Sequence, residues 1–143
     1  ARSGVIEAFT LAPEGAPDWA RDPQTLWNAA EAAEKRKDAR LAREVVLALP
    51  DATTPAVRHE IVAKLAQHLV DRYGVAVTAA IHAPSAEGDQ RNHHAHILWT
   101  TRAVTPTGLG AKTTVLDEQK SGPEEVRHIR ERAAWIISTR HEA

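Results

Sequence analysis

The sequence predicts an α+β fold, with helices packed on one face of a mainly antiparallel sheet. Three observations predict it. Along 143 residues, enough for one domain with a real core, the segments read strand, helix, strand, helix, strand, strand, helix. Three of the strands carry apolar residues at every second position, as a sheet with one buried face requires. One helix carries Val57, Ile61, Leu65 and Leu69 at steps of four, a stripe suited to packing on such a face.

Val5 to Leu11 is apolar and reads as a short strand. A loop with Pro13, Gly15 and Pro17 follows. Asp22-Pro23 then reads as an N-cap and first helical residue. That helix is expected to run to about Leu41, with Leu26, Ala30, Ala33 and Leu41 inward and the charged run from Glu34 to Arg40 as a solvated face. Arg43 to Leu49 is a strand ended by Pro50. Thr54-Pro55 repeats the cap signature, and Gly74 stops the second helix. Val75 to Ala83 and His94 to Thr101 are strands joined by a polar loop, an expected antiparallel hairpin. Ala103 to Gly122 reads as a long connection. Pro123 opens a last helix with Val126, Ile129, Ala133, Ile136 and Ile137 inward. There are no repeats or low-complexity tracts.

Composition excludes several classes. The formal net charge is −1, so any contact with nucleic acid must come from a local patch. The absence of cysteine rules out disulfides, thiolate metal sites and a cysteine nucleophile, and fits a reducing cytoplasm. No apolar run reaches the length of a membrane span, and no signal peptide is visible. The chain opens at Ala1 in a strand lead-in, and it is read as a piece of a longer protein, residues 1–143 being one N-terminally incomplete domain.

Strand parity gathers the chemistry. Ala95, Ile97 and Trp99 share one face of their strand, with His94, His96 and Leu98 on the other. On the preceding strand Val77, Ala79 and Ile81 are apolar, leaving Thr78, Ala80 and His82 opposite. On the earlier strand Val45, Leu47 and Leu49 leave Glu44 and Val46 opposite. If every apolar face meets the helices, Glu44, His82, His94 and His96 share the open face. An H-x-H pair alone reads equally well as surface histidines. A third histidine across a hairpin turns it into a candidate three-imidazole metal site with open positions. Imidazole donors suit zinc, nickel, cobalt or copper, and manganese or magnesium where the cell supplies them. His93 points to the other face and is excluded. His59, His68, His128 and His141 read as surface or helix-packing residues.

The stretches EAAEKRKDARLAREVVLALP, AIHAP, RNHHAHILWTTR, GLGAKT and VRHIRERAAWI, in that order, resemble the MobA/MobL relaxases, most of all the TraA-type branch. The resemblance runs from about Arg2 to Thr139. It implies the five-stranded antiparallel palm shared with rolling-circle replication initiators. It implies a bacterial, cytoplasmic enzyme of conjugation that nicks one strand at a plasmid transfer origin, working with other relaxosome proteins. In that family a tyrosine attacks the scissile phosphate and a metal on three histidines polarises it. Those ligands correspond to His82, His94 and His96, and the metal is a divalent ion such as magnesium, manganese or zinc.

Two departures stand out. The family's tyrosine lies in a helix ahead of the segment matching Arg2-Ser3-Gly4, so it has no counterpart here. The one tyrosine, Tyr73, reads as a helix-end packing residue. The family often has an acid two residues after Glu44, where this chain has Val46. Glu44 itself is either a strand-edge surface carboxylate or a functional group that orients a histidine, completes the metal shell or deprotonates the nucleophile. Arg91, Arg102 and Lys112 are the candidate contacts to single-stranded DNA, each also readable as an ordinary surface cation. The competing readings are a non-catalytic single-stranded DNA-binding module that keeps the metal, and a hydrolase using metal-bound water.

Overall fold

The computed structural model describes residues 4–34, 41–84, 92–113 and 121–142. The elements are β1 (Val5–Leu11), a short 3-10 turn (Asp18–Arg21), α1 (Pro23–Ala33), β2 (Ala42–Ala48), α2 (Pro55–Tyr73), β3 (Val77–His82), β4 (His94–Thr100), β5 (Arg102–Thr105), β6 (Gly108–Lys112) and α3 (Ser121–Glu142). The expected antiparallel α+β architecture is present. Its strand count differs from the expected single five-stranded sheet. Four strands pair in the order β1-β3-β4-β2, and β5 and β6 form a separate hairpin.

That hairpin lies in the stretch expected to be a bare connection. Gly108, at φ 125, permits the reversal between its strands. Lys112 therefore belongs to β6 rather than to a loop.

Both predicted helix starts have their caps. The Asp22 side chain accepts from Thr25 N at 3.0 Å, and the Thr54 hydroxyl accepts from Val57 N at 3.2 Å. Gly74 closes α2 in the left-handed region at φ 67. The first helix is shorter than expected. It ends at Ala33, because Glu34 is extended and its side chain turns into an ion-pair cluster. The rest of the expected charged face, Lys35 to Arg40, lies outside the described residues.

The core confirms the strand parity. Val77, Ala79 and Ile81 of β3 and Ala95, Ile97 and Trp99 of β4 are buried against Ile61, Leu65 and Leu69 of α2 and Ile129, Ala133 and Ile136 of α3. Burying a large aliphatic side chain contributes roughly 1.5–3 kcal/mol, so this interface dominates the fold. Val126, expected inward, is 41 % exposed near the start of α3. The other face is covered only in part. Trp27 of α1 donates from Nε1 to Thr78 Oγ1 at 3.0 Å, and Thr78 also shares a hydrogen bond with Thr10. A small second core of Ala12, Ala20, Leu26, Ala76 and Val104 fills in beneath α1. So α1 packs at one end of the face that carries the histidines, while α2 and α3 cover the opposite face.

Candidate metal and phosphate site

The histidines lie at the other end of that face from Thr78. In the β3–β4 pairing His82 stands directly opposite His94, and Ala80 opposite His96. Directly opposed side chains in an antiparallel pair begin roughly 5 Å apart at Cβ, so register alone puts His82 and His94 in reach of each other. His82 also meets His96 diagonally, with ring centroids 4.5 Å apart and planes tilted by 51°. Val46 of β2 lies opposite His96 on the other side and is 51 % exposed. The patch is thus three imidazoles with the bare aliphatic side chain of Val46 at its border.

Glu44, two residues before Val46, reaches back to the same ring. Its Oε2 lies 3.1 Å from His96 Nδ1. The two side chains are 47 % and 39 % exposed, so the contact sits at the mouth of the patch and not in a core. With Nδ1–H donating to the carboxylate, the neutral ring keeps its lone pair on Nε2, free for a ligand. His82 is held below the usual histidine range, first by burial and then by His96 and His94. That keeps it in the neutral form a metal needs.

The donor set therefore suits a divalent ion in ligand type and backbone placement. The rings are not closed around one point: among the described residues no group of three His, Asp or Glu side chains is already posed to hold a metal. His82 and His96 are already in ring contact, and holding one ion would need the three rings to close further.

The chain's first described strand enters here. Val5 pairs with His82, and Ala83 N donates to Gly4 O at 2.7 Å. Gly4, where the described residues begin, thus lies beside the histidine-bearing end of β3. His93 lies on the helix side, where Arg58 of α2 helps lower its proton affinity behind the larger effect of burial.

The candidate DNA contacts are distributed differently. Arg102 follows β4 at its far end, past Thr100, which is itself four residues or roughly 13 Å beyond His96. Arg102 Nε donates to Glu34 Oε2 at 2.7 Å, and Lys112 Nζ lies 3.1 Å from Glu34 Oε1. Arg102 also donates to Gly110 O at 3.1 Å. These two cations are brought together with each other and with Glu34, but not with the histidines. Arg91 lies outside the described residues. Glu34 was grouped with a solvated run, yet its side chain is only 6 % exposed. Its position at a helix end gave no signal of the partner strands.

Tyr73 lies at the end of α2, on the side of the sheet away from the histidines. Its hydroxyl donates to Glu125 Oε1 at 2.5 Å, and burial followed by Glu125 pushes its pKa up to about 12. Glu125 also takes two hydrogen bonds from Arg72, at 2.8 and 3.0 Å. The tyrosine is a tether between α2 and α3, in keeping with its reading as a helix-end packing residue.

The model of the MobA/MobL family matches residues 1–141. The chain belongs to the MobA/MobL family. Among relatives of this MobA/MobL chain, the mobilization protein MobL of Acidithiobacillus ferridurans is 32 % identical across 94 % of the chain and 41 % of that protein. The probable mobilization protein MobA of Bifidobacterium longum is 40 % identical across 80 % of the chain and 21 % of its own length. The probable conjugal transfer protein TraA of Sinorhizobium fredii is 30 % identical across 78 % of the chain and 11 % of its own length. The MobA/MobL chain thus spans less than half of each of these relatives. A solved chain from work on the "Molecular Basis of Vancomycin Resistance Transfer in Staphylococcus aureus" superposes with a TM-score of 0.75 at 26 % identity, over 96 % of this chain and 70 % of that one. No helix among the described residues is long and apolar enough to cross a membrane.

Proposed function

We propose that this chain is the metal-bearing part of a conjugative relaxase, the enzyme that nicks one DNA strand to begin plasmid mobilisation. The observation that carries the reading is the histidine patch: His82, His94 and His96 on one open face, with Glu44 bonded to His96, in a member of the MobA/MobL family. The names of the relatives, mobilization and conjugal transfer proteins, support the same role.

In this reading the three imidazoles hold a divalent ion, which when bound would oppose the charge that develops on a scissile phosphate. The chain's own residues do the rest of the positioning. Glu44 fixes the His96 ring so that Nε2 faces the open side. His82, kept neutral, offers its lone pair without first losing a proton. Val46 presents an apolar edge to the sugar or base beside the phosphate. The partner is single-stranded DNA, whose unpaired backbone can lie flat across the patch.

The nucleophile comes from outside these residues. Tyr73 faces away from the patch, is bonded to Glu125, and resists ionisation. The tyrosine expected of the family would come from a segment joined ahead of Ala1, and Gly4 and Val5 lie beside Ala83 and His82. The tyrosine oxygen would form a bond to phosphorus as the 3′ oxygen departs with a proton, leaving the 5′ phosphate on the tyrosine.

The test is binding of a fluorescent single-stranded oligonucleotide carrying a relative's transfer origin. Binding should strengthen with manganese, fall with a chelator, and lose its metal dependence in a His94→Ala/His96→Ala variant. No covalent adduct should form on the chain alone. An adduct lost in Tyr73→Phe would overturn the assignment of the nucleophile. Origin binding with no nicking, even when a relative's tyrosine segment is joined ahead of Ala1, would favour a purely DNA-binding module.

A further inference from the structure

A second pair of histidines meets on the opposite side of the sheet. His68 of α2 and His128 of α3 face each other with their Nε2 atoms 3.1 Å apart and their ring centroids 5.2 Å apart. Both rings are half-buried in the seam between the helices. They are far apart in sequence, and each alone looks like an ordinary helix-surface histidine.

We propose that His68 and His128 form a separate, interhelical site for an imidazole-preferring transition metal ion, such as zinc or nickel, that clasps α3 to α2. The argument is geometric. Two imidazole nitrogens bound to one tetrahedral ion at 2.0–2.1 Å stand about 3.3 Å apart. The observed Nε2 separation of 3.1 Å is within a few tenths of that value, so the two nitrogens already stand at the spacing one ion requires and the rings need only rotate to aim both lone pairs at it. In the metal-free pair one Nε2–H donates to the other Nε2. To bind metal, that ring shifts its proton to Nδ1, which leaves a lone pair on each Nε2.

The surroundings set the strength. Arg132 of α3 and Arg72 of α2 bring positive charge toward His68, and Asp71 offsets part of it. Glu125 faces His128 but is committed to Arg72 and Tyr73. Glu131 lies one turn beyond His128 in the same groove as Arg132 and Trp135. No third side chain is posed with the pair among the described residues, so water fills the remaining positions. Such a site takes ions that favour nitrogen donors, and discriminates against magnesium, which favours oxygen.

The test removes the other imidazole cluster first. In a full chain carrying His82→Ala, His94→Ala and His96→Ala, zinc or nickel titration by calorimetry should show one equivalent bound and a raised melting temperature, with magnesium inert. Adding His68→Gln or His128→Gln should weaken that binding at least tenfold and abolish the shift. Binding unchanged by either substitution, or no binding at all, overturns the proposal. If the triple variant fails to fold, the same comparison in the otherwise unaltered chain decides: His68→Gln should lower the nickel stoichiometry by one, and an unchanged stoichiometry overturns the site. The origin-oligonucleotide experiment reads a different face of the sheet, so either reading can fail alone.

Discussion

Glu44 Oε2 lies 3.1 Å from Nδ1 of His96, across the β2–β4 pairing and on the open face of the sheet. Both side chains are well exposed, so the contact adds little to folding. Its consequence is orientation: it selects the tautomer and ring position that leave Nε2 of His96 available. Glu44→Ala should therefore weaken manganese or zinc binding by about 10- to 100-fold while changing the melting temperature little. Glu44→Gln, which keeps an acceptor oxygen, should recover part of the affinity. Metal titrations of the three proteins check this; equal affinities would remove Glu44 from the site.

Glu125 ties α3 to α2 through Arg72 and Tyr73. Hydrogen bonds from Arg72, then Tyr73, hold its carboxyl down at about 2. In the unfolded chain a glutamate titrates near 4.3. Because the folded value is the lower one, the stabilisation is complete above about pH 4.5 and is lost as pH falls toward 2. Glu125→Gln should lower stability at pH 7 and flatten the acid limb between those values. Urea unfolding at a series of pH values would show it, and a parallel acid limb in the variant would contradict it.

Glu34 joins the end of α1 to the β5–β6 hairpin through Arg102 and Lys112, which hold its carboxyl below the usual range. Removing it leaves two cations facing each other beside a nearly buried position. Glu34→Ala should cost about 1–3 kcal/mol, with partial exposure of the cations keeping the loss toward the lower end. Hydrogen exchange should quicken in residues 102–112 more than in β3 or β4. Uniform acceleration would mean that the cluster does not hold the hairpin.

Trp27 reaches the histidine-bearing face at Thr78. Trp27→Phe removes the Nε1 donor and keeps most of the packing, and Thr78 retains Thr10 as a partner. A loss of about 1 kcal/mol in denaturant unfolding is expected. A substantially larger loss would mean that α1 docks mainly through packing of the Trp27 ring.

Elements with a strong local signal were legible in the residues. Asp22-Pro23, Thr54-Pro55 and Gly74 marked helix ends because capping is a property of a few neighbouring atoms. Alternation in β3 and β4 placed His82, His94 and His96 on one face, because side-chain parity needs no knowledge of the partner strand. Features set by distant partners were not legible. Glu34 ends α1 early because Arg102 and Lys112, far along the chain, draw it inward. Arg102 and Lys112 gave no sign of sharing Glu34 for the same reason: nothing local to them shows that partner. The β5–β6 hairpin was hidden by weak apolar content between Arg102 and Lys112. His68 and His128 gave no sign of meeting, since the contact depends on how α2 and α3 cross.

The account rests on His82, His94 and His96 acting as one metal site, and manganese affinity in single-alanine variants measures that most directly. Each of His82→Ala, His94→Ala and His96→Ala should weaken manganese binding at least tenfold, while His59→Ala and His93→Ala leave it unchanged. Should any of the three central variants bind manganese as tightly as the parent chain, or should the parent not bind it at all, the three histidines do not form the site proposed for them.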